Sequence, residues 1–188
     1  MAATSNFSID KFTGNSGLKA GGALGSLFQC HLDAAKGTGS TIGNFKFLCK
    51  GVSFPASTVD VATVTFMGRA VNIPSNRAAM QLTTSIYNDE GMEIRNHLEN
   101  WLELINSHAT NKRSTGMMSI LSYTGTMRIE QYSKDDKATK EYTFNNIWPS
   151  STGEVALSWD TNDIQTYDVT WEYNYWSSLG ATGSGAGA

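Results

Sequence analysis

The chain has 188 residues, a net charge of −3 and 16 % charged residues, against roughly 25 % in an average globular domain. That length allows one domain and hardly two. Low charge at ordinary hydrophobicity suits a surface destined for burial in an assembly. The acidic balance excludes a basic grip on nucleic acid, in which lysine and arginine neutralise phosphates.

No apolar run approaches the roughly 20 residues of a membrane span. No secretory apolar region precedes Cys30 and Cys49. They are expected to be reduced, buried structural cysteines of a cytosolic product.

Residues 1–25 lack periodicity and carry Gly14, Gly17, Gly21, Gly22 and Gly25, the signature of a loop-rich arm. Strands are expected at 26–34 and 45–51 around a Gly/Thr-rich turn at 37–43. Valine and threonine dominate 58–66, which favours a strand. Strands at 69–73 and 80–87 follow, with Pro74 as punctuation between them. A helix is predicted over about 89–107. Asn88 and Asp89 can cap it, and Glu90 and Glu93 favour its positive N-terminal end. Ile94, Leu98, Trp101, Leu102 and Ile105 form one apolar stripe at helical spacing.

Beyond the helix, strands are expected at 118–123 and 126–132 around a turn at 124–125, then at 140–148 and 155–159. Residues 134–137 (KDDK) read as a hairpin tip. The segment 164–176, IQTYDVTWEYNYW, alternates almost without a break. Tyr167, Val169, Trp171, Tyr173 and Tyr175 share one face; Asp168, Thr170, Glu172 and Asn174 share the other. Its thirteen positions would span roughly 40 Å as a single half-buried strand. Residues 177–188 are a Gly/Ala/Ser-rich tail. The domain division is therefore 1–25, 26–176 and 177–188.

Catalytic signatures are largely absent. There is no phosphate-binding loop, no HExxH and no GxSxG. The run 37–43 has the wrong spacing for a dinucleotide loop. His97 and His108 are eleven apart, not an i, i+4 pair. Asp89, Glu90 and Glu93 read as a dipole-stabilised cap rather than acid/base machinery. Asp160 and Asp163 lack the acidic series and closing Glu of a calcium loop. Five tryptophans and seven tyrosines allow a carbohydrate-binding β-sandwich. However, Trp101, Trp148, Trp159 and Trp171 fall at positions expected to face a core.

Three segments then resemble one family. They are Phe66-Met-Gly-Arg69; Tyr87-Asn-Asp-Glu-Gly-Met-Glu-Ile-Arg95 continuing to Trp101; and Ile147-Trp-Pro149 followed by Gly153-Glu154, Leu157, Trp159-Asp160, Ile164-Gln-Thr166, Val169 and Tyr175-Trp176. Together they resemble the tail tube proteins of contractile-tailed phages over about residues 28–176. The resemblance implies a mainly β (α+β) fold, an antiparallel β-sandwich or barrel with one flanking helix, shared with the type VI secretion tube protein. It implies hexameric rings stacked into a tube with a continuous inner β-barrel built from long hairpins. It implies no catalytic residue, metal or cofactor.

The implied partners are further copies of the chain, the tail sheath, and the baseplate and terminator proteins, with double-stranded DNA passing without specific binding. The implied location is the virion, after assembly in the host cytoplasm. On this reading Asp168, Thr170, Glu172 and Asn174 face the lumen, Pro55, Val59 and Val61 contact the next ring, and the four tryptophans anchor the wall. Six copies would carry a charge of roughly −18. A baseplate initiator or secretion-system tube protein of the same fold is the nearest alternative.

Overall fold

The computed structural model describes residues 18, 21–38, 42–78, 81–160, 162–180 and 185–186. Most of the arm expected at 1–25, the middle of the turn at 37–43 and most of the tail beyond 180 lie outside the described residues. In chain order the elements are β1 (Phe28–Asp33), the single helical turn α1 (Phe45–Leu48), β2 (Cys49–Val52), β3 (Val59–Phe66), β4 (Arg69–Arg77) and β5 (Gln81–Tyr87). Then come helix α2 (Glu93–Ile105), the turn α3 (Ile120–Tyr123), β6 (Gly125–Tyr132), β7 (Ala138–Thr152), β8 (Thr166–Glu172), β9 (Tyr175–Gly180) and β10 (Gly185–Ala186). Among the described residues the protein is mainly β with one substantial helix, as expected from its sequence.

Neighbouring strands run β1-β6-β7-β8-β5-β2, all antiparallel. β9 lies beside the first half of β7 and pairs with β10. Among the described residues β3 and β4 pair only with each other, as a separate two-stranded sheet.

Strand β7 is the hinge of the architecture. Its first half pairs with β6 and β9, and its last five residues pair with β8. The switch falls at Asn146, whose φ of 55° is left-handed and which is skipped in the register with β6. Asparagine tolerates that conformation, and an extra residue here is a bulge that bends the strand. The bulge also flips the inward phase: Phe144 is buried before it, Ile147 and Pro149 after it.

The expected single strand over 164–176 is cut at the same level. β8 ends at Glu172, opposite Trp148, and β9 begins at Tyr175, opposite Asn145. A strand beside a corner must turn the corner too, so residues 173–174 break. Tyr167, Val169 and Trp171 are buried, whereas Tyr175 is exposed. The break inverts the phase beyond it, leaving Ser178 buried. The boundary expected at 176 is corrected as well, since 177–180 belong to β9 and pair with β7.

Several local expectations change. Residues 45–48 form a helical turn because Phe45 and Leu48, three apart, both reach inward. Phe45 meets Trp171 edge-on at 6.3 Å. The strands at 26–34 and 45–51 are not partners: β1 pairs with β6 and β2 with β5. The apolar run 118–123 ends in a helical turn rather than a strand, and the Tyr123 carbonyl accepts the Trp101 indole N–H at 2.8 Å. Residues 155–159 form no strand. Pro74 lies inside β4, opposite Val61 beside a register shift, a place where its missing N–H is tolerated.

Helix α2 closes the core. Ile94, Leu98 and Trp101 are buried, with Ile105 packed against them. The helix starts four residues later than 89, and the Asp89 carboxylate still accepts the Glu93 N–H at 3.2 Å. Left-handed Met92 brings the chain back into line. Trp101 meets Trp171 at 6.1 Å, and the Trp171 indole donates to the buried Thr84 hydroxyl at 2.8 Å.

At the mouth of β6, a Cβ on Gly125 would overlap the Asp33 carbonyl and crowd the Trp101 ring. Backbone cannot step aside as a flexible side chain can. Gly125→Ala is therefore expected to cost about 1–3 kcal/mol. Urea unfolding checks this; an unchanged midpoint would show that β1 and β6 can slide apart.

Candidate functional site

Two surfaces stand out. The first is the outward face of β5 and β8. Gln81 lies opposite Glu172, Thr83 opposite Thr170, and Ser85 opposite Asp168. The six side chains share one face because opposed residues of an antiparallel pair point the same way. All are polar, and Gln81 Nε2 donates to Glu172 Oε1 at 2.5 Å. Lys50 reaches over the Tyr87 ring, 5.4 Å from its centroid, at the end of this face. The face thus holds two carboxylates and one ammonium. Asn174, expected to continue it, lies in the break after β8 and does not belong to it.

The second surface is the hairpin of β3 and β4. Every residue of both strands is exposed. Ala62 lies opposite Ile73, Val64 opposite Val71 and Phe66 opposite Arg69, giving an apolar face with one cation at its tip. On the reverse face Val61 lies opposite Pro74, Thr63 opposite Asn72 and Thr65 opposite Ala70. The Thr63 hydroxyl donates to the Asn72 side-chain oxygen at 3.1 Å. Met67 and Gly68 make the connection, with φ of 48° and 77°. Positive φ at both positions is the type I′ pattern, whose twist suits a hairpin. At the root, Phe54 packs on Tyr142 at 4.7 Å, and Tyr142 meets Trp176 at 5.5 Å.

Of the predicted contact residues, Val59 and Val61 are exposed and Pro55 is half-buried. Val61 sits on the threonine face, not the apolar one. Val64, Phe66, Val71 and Ile73 were not among the residues expected from the sequence to make contacts. Their alternation was visible, but alternation alone does not say that the face turned away from water lacks a partner within the subunit.

The tryptophans divide. Trp101 and Trp171 are buried and Trp148 is half-buried. Trp159 is fully exposed, which corrects the expectation that it faces the core. The 155–159 stretch is not a strand, so strand phase does not apply there. Trp159 instead lies in the connection 153–165 with exposed Leu157 and Ile164. These side chains, with Val155 and Asp163, line a cleft of about 340 Å³. The root of that loop is held firmly: the Gly153 N–H donates to the Asp168 carbonyl at 2.7 Å, and Arg95 Nη1 donates to the Gly153 carbonyl at 3.3 Å. Arg95 also lies over the Tyr167 ring, whose burial pushes its hydroxyl up to about 12.

Chemistry outside these surfaces is quiet. Cys30 and Cys49 are free and buried, and the hydrogen bond between them, together with burial, holds the Cys30 thiol well above its usual value. That thiol is inert at neutral pH. Burial lowers the His97 imidazole, which packs edge-on against Trp101 at 6.3 Å.

A family model described as phage tail tube protein matches residues 2–179. The chain is 34 % identical over 135 residues to the tail tube protein gp19 of Enterobacteria phage T4, covering 71 % of this chain and 81 % of that protein. The gp19 protein of Enterobacteria phage T6 matches at the same identity and coverage. In fold, the chain resembles a chain of the anti-feeding prophage baseplate, with a TM-score of 0.63 at 12 % identity, covering 85 % of this chain and 96 % of that one. It likewise resembles a chain of the sheath–tube complex of an extracellular contractile injection system in its extended state. There the TM-score is 0.59 at 13 % identity, with 93 % and 99 % covered. The chain belongs to the phage tail tube protein family, a structural family of the virion tail and not an enzymatic one.

Proposed function

We propose that six copies of this subunit close into a ring, and that rings stack into a conduit through which double-stranded DNA leaves the particle on contraction. The observation that carries this is the β3–β4 hairpin. An isolated two-stranded hairpin is marginal in water at best, and this one exposes an apolar face for which the described residues of its own subunit supply no partner strand. Long exposed strand edges are polymerisation templates, and closing a barrel removes them.

On this reading the hairpins join the inner barrel with their threonine face toward the bore, beside the β5–β8 face that carries Asp168, Thr170 and Glu172. Pro55, Val59 and Val61 sit at the hairpin base, where the next ring would meet it. The partners are the sheath outside the tube, the baseplate where it starts and the terminator where it ends. The polar face carries one net negative charge per subunit once Lys50 is counted, about six per hexameric ring. That is far smaller than six copies of the whole chain would suggest. It still repels phosphates, so DNA slides without sticking.

Negative-stain microscopy with light scattering tests the assembly. Hollow tubes or stacked six-fold rings are expected, and a monodisperse monomer at high concentration overturns it. The bore is tested with phage carrying Asp168→Lys and Glu172→Lys. Ejection is expected to slow several-fold at low salt, with the difference shrinking as salt screens the lysines. Ejection as fast as wild type would mean that this face does not line the path.

A further inference from the structure

We propose that the hairpin tip, Phe66 to Arg69, docks into the cleft of loop 153–165 on a second copy of this chain; this rests on the tube reading above. The tip is built for contact rather than for the turn. A type I′ connection favours Asn or Gly at its first position, where φ is positive. Here that position holds Met67, left-handed and 91 % exposed. A non-glycine residue outside its preferred backbone region is a local cost that points to a function for the side chain. Methionine is flexible and polarisable, suited to filling an irregular apolar cavity. Phe66 beside it is 67 % exposed.

The cleft offers the complement. Leu157, Trp159 and Ile164 are large, apolar and exposed around a hollow of about 340 Å³. Its root is tied to β8 and α2 through Gly153. The charges match as well. Arg69 stands at the tip, and the hairpin carries Arg77 with only Asp60 against it; the loop carries Glu154, Asp160 and Asp163 and no cation. Among the described residues neither Arg69 nor the two loop aspartates has an ion pair. Docking buries both apolar patches at once and sets the Arg69 guanidinium beside the Asp160 and Asp163 carboxylates. Complementary charge of this kind selects register and partner more than it adds affinity.

The test uses assembled tubes of the double variant Met67→Cys, Leu157→Cys under mild oxidation with copper–phenanthroline. Most of the protein is expected to become multimers that a thiol reductant reverses, while either single variant stays monomeric on a denaturing gel. Tubes whose subunits remain uncrosslinked overturn the docking and leave the tube reading intact. So does equal crosslinking by Met67→Cys alone, which would mean that tip meets tip. Should the double variant not assemble, Arg69→Asp is expected to raise the concentration needed for assembly at least tenfold. Adding Asp163→Arg or Asp160→Arg is expected to recover it. Failure of both to recover overturns the docking. Wild-type protein that never forms tubes overturns the parent reading instead.

Discussion

Replacing Trp101 by alanine is expected to destabilise the subunit by about 3–5 kcal/mol. The ring is fully buried, meets Trp171 at 6.1 Å and fills the space beneath Gly125. Its indole N–H also satisfies the Tyr123 carbonyl at 2.8 Å, in a turn with no strand partner for that group. Truncation therefore removes apolar burial, leaves a cavity between helix and sheet, and orphans an acceptor. Against a total of about 5–15 kcal/mol this is a large share. The measurement is urea unfolding of subunits kept monomeric by a hairpin variant, since assembly would mask the loss by mass action. Trp101→Phe retains the apolar bulk but not the donor, so it is expected to fall between the two. A loss below about 1 kcal/mol for Trp101→Ala would mean that the helix is not anchored there.

The second large effect concerns assembly and not folding. Val64→Asp with Val71→Asp places two carboxylates in the middle of the hairpin's apolar face, on opposed residues. Because both positions are exposed and the hairpin lies outside the core, subunit stability is expected to stay within about 0.5 kcal/mol. Tubes and rings alike are expected to vanish, because burying unpaired like charges in an interface costs several kcal/mol per subunit. Val59→Asp with Val61→Asp, at the base of the hairpin, is expected to leave soluble single rings and abolish long tubes. Microscopy separates the outcomes. Normal tubes from the first variant would place the apolar face away from any interface, and normal tubes from the second would remove the hairpin base from ring stacking.

Local sequence patterns match the structure wherever a local force decides it. The stripe Ile94, Leu98, Trp101 predicted the core face of α2, and the 134–137 tip correctly joined β6 to β7. They depart from it where a distant strand imposes the outcome. The alternation of 164–176 gave no warning of a break at 173–174, because the cause is the bulge at Asn146 in the strand alongside. A strand is expected from residue 45, yet Phe45 and Leu48, one helical turn apart, are what the core takes. The phase of a strand expected at 155–159 puts Trp159 inside, but that strand does not form; nothing local distinguishes a core tryptophan from an interface one.

The candidate surfaces were half legible for the same reason. The polar face of β8 followed from strand phase, and its extent stopped at Glu172 because phase cannot cross a corner. The hairpin was visible as two β-rich runs around Met67-Gly68, but its isolation was not. By itself the sequence determined the mainly β character, the amphipathic helix α2 and the family, since these rest on residue type and short periodicity. The sheet order, the corner at Asn146 and the division of apolar side chains between core and uncovered surface were decided only by the tertiary structure. Burial is a property of what lies across the gap, and no residue carries that information about its neighbours in space.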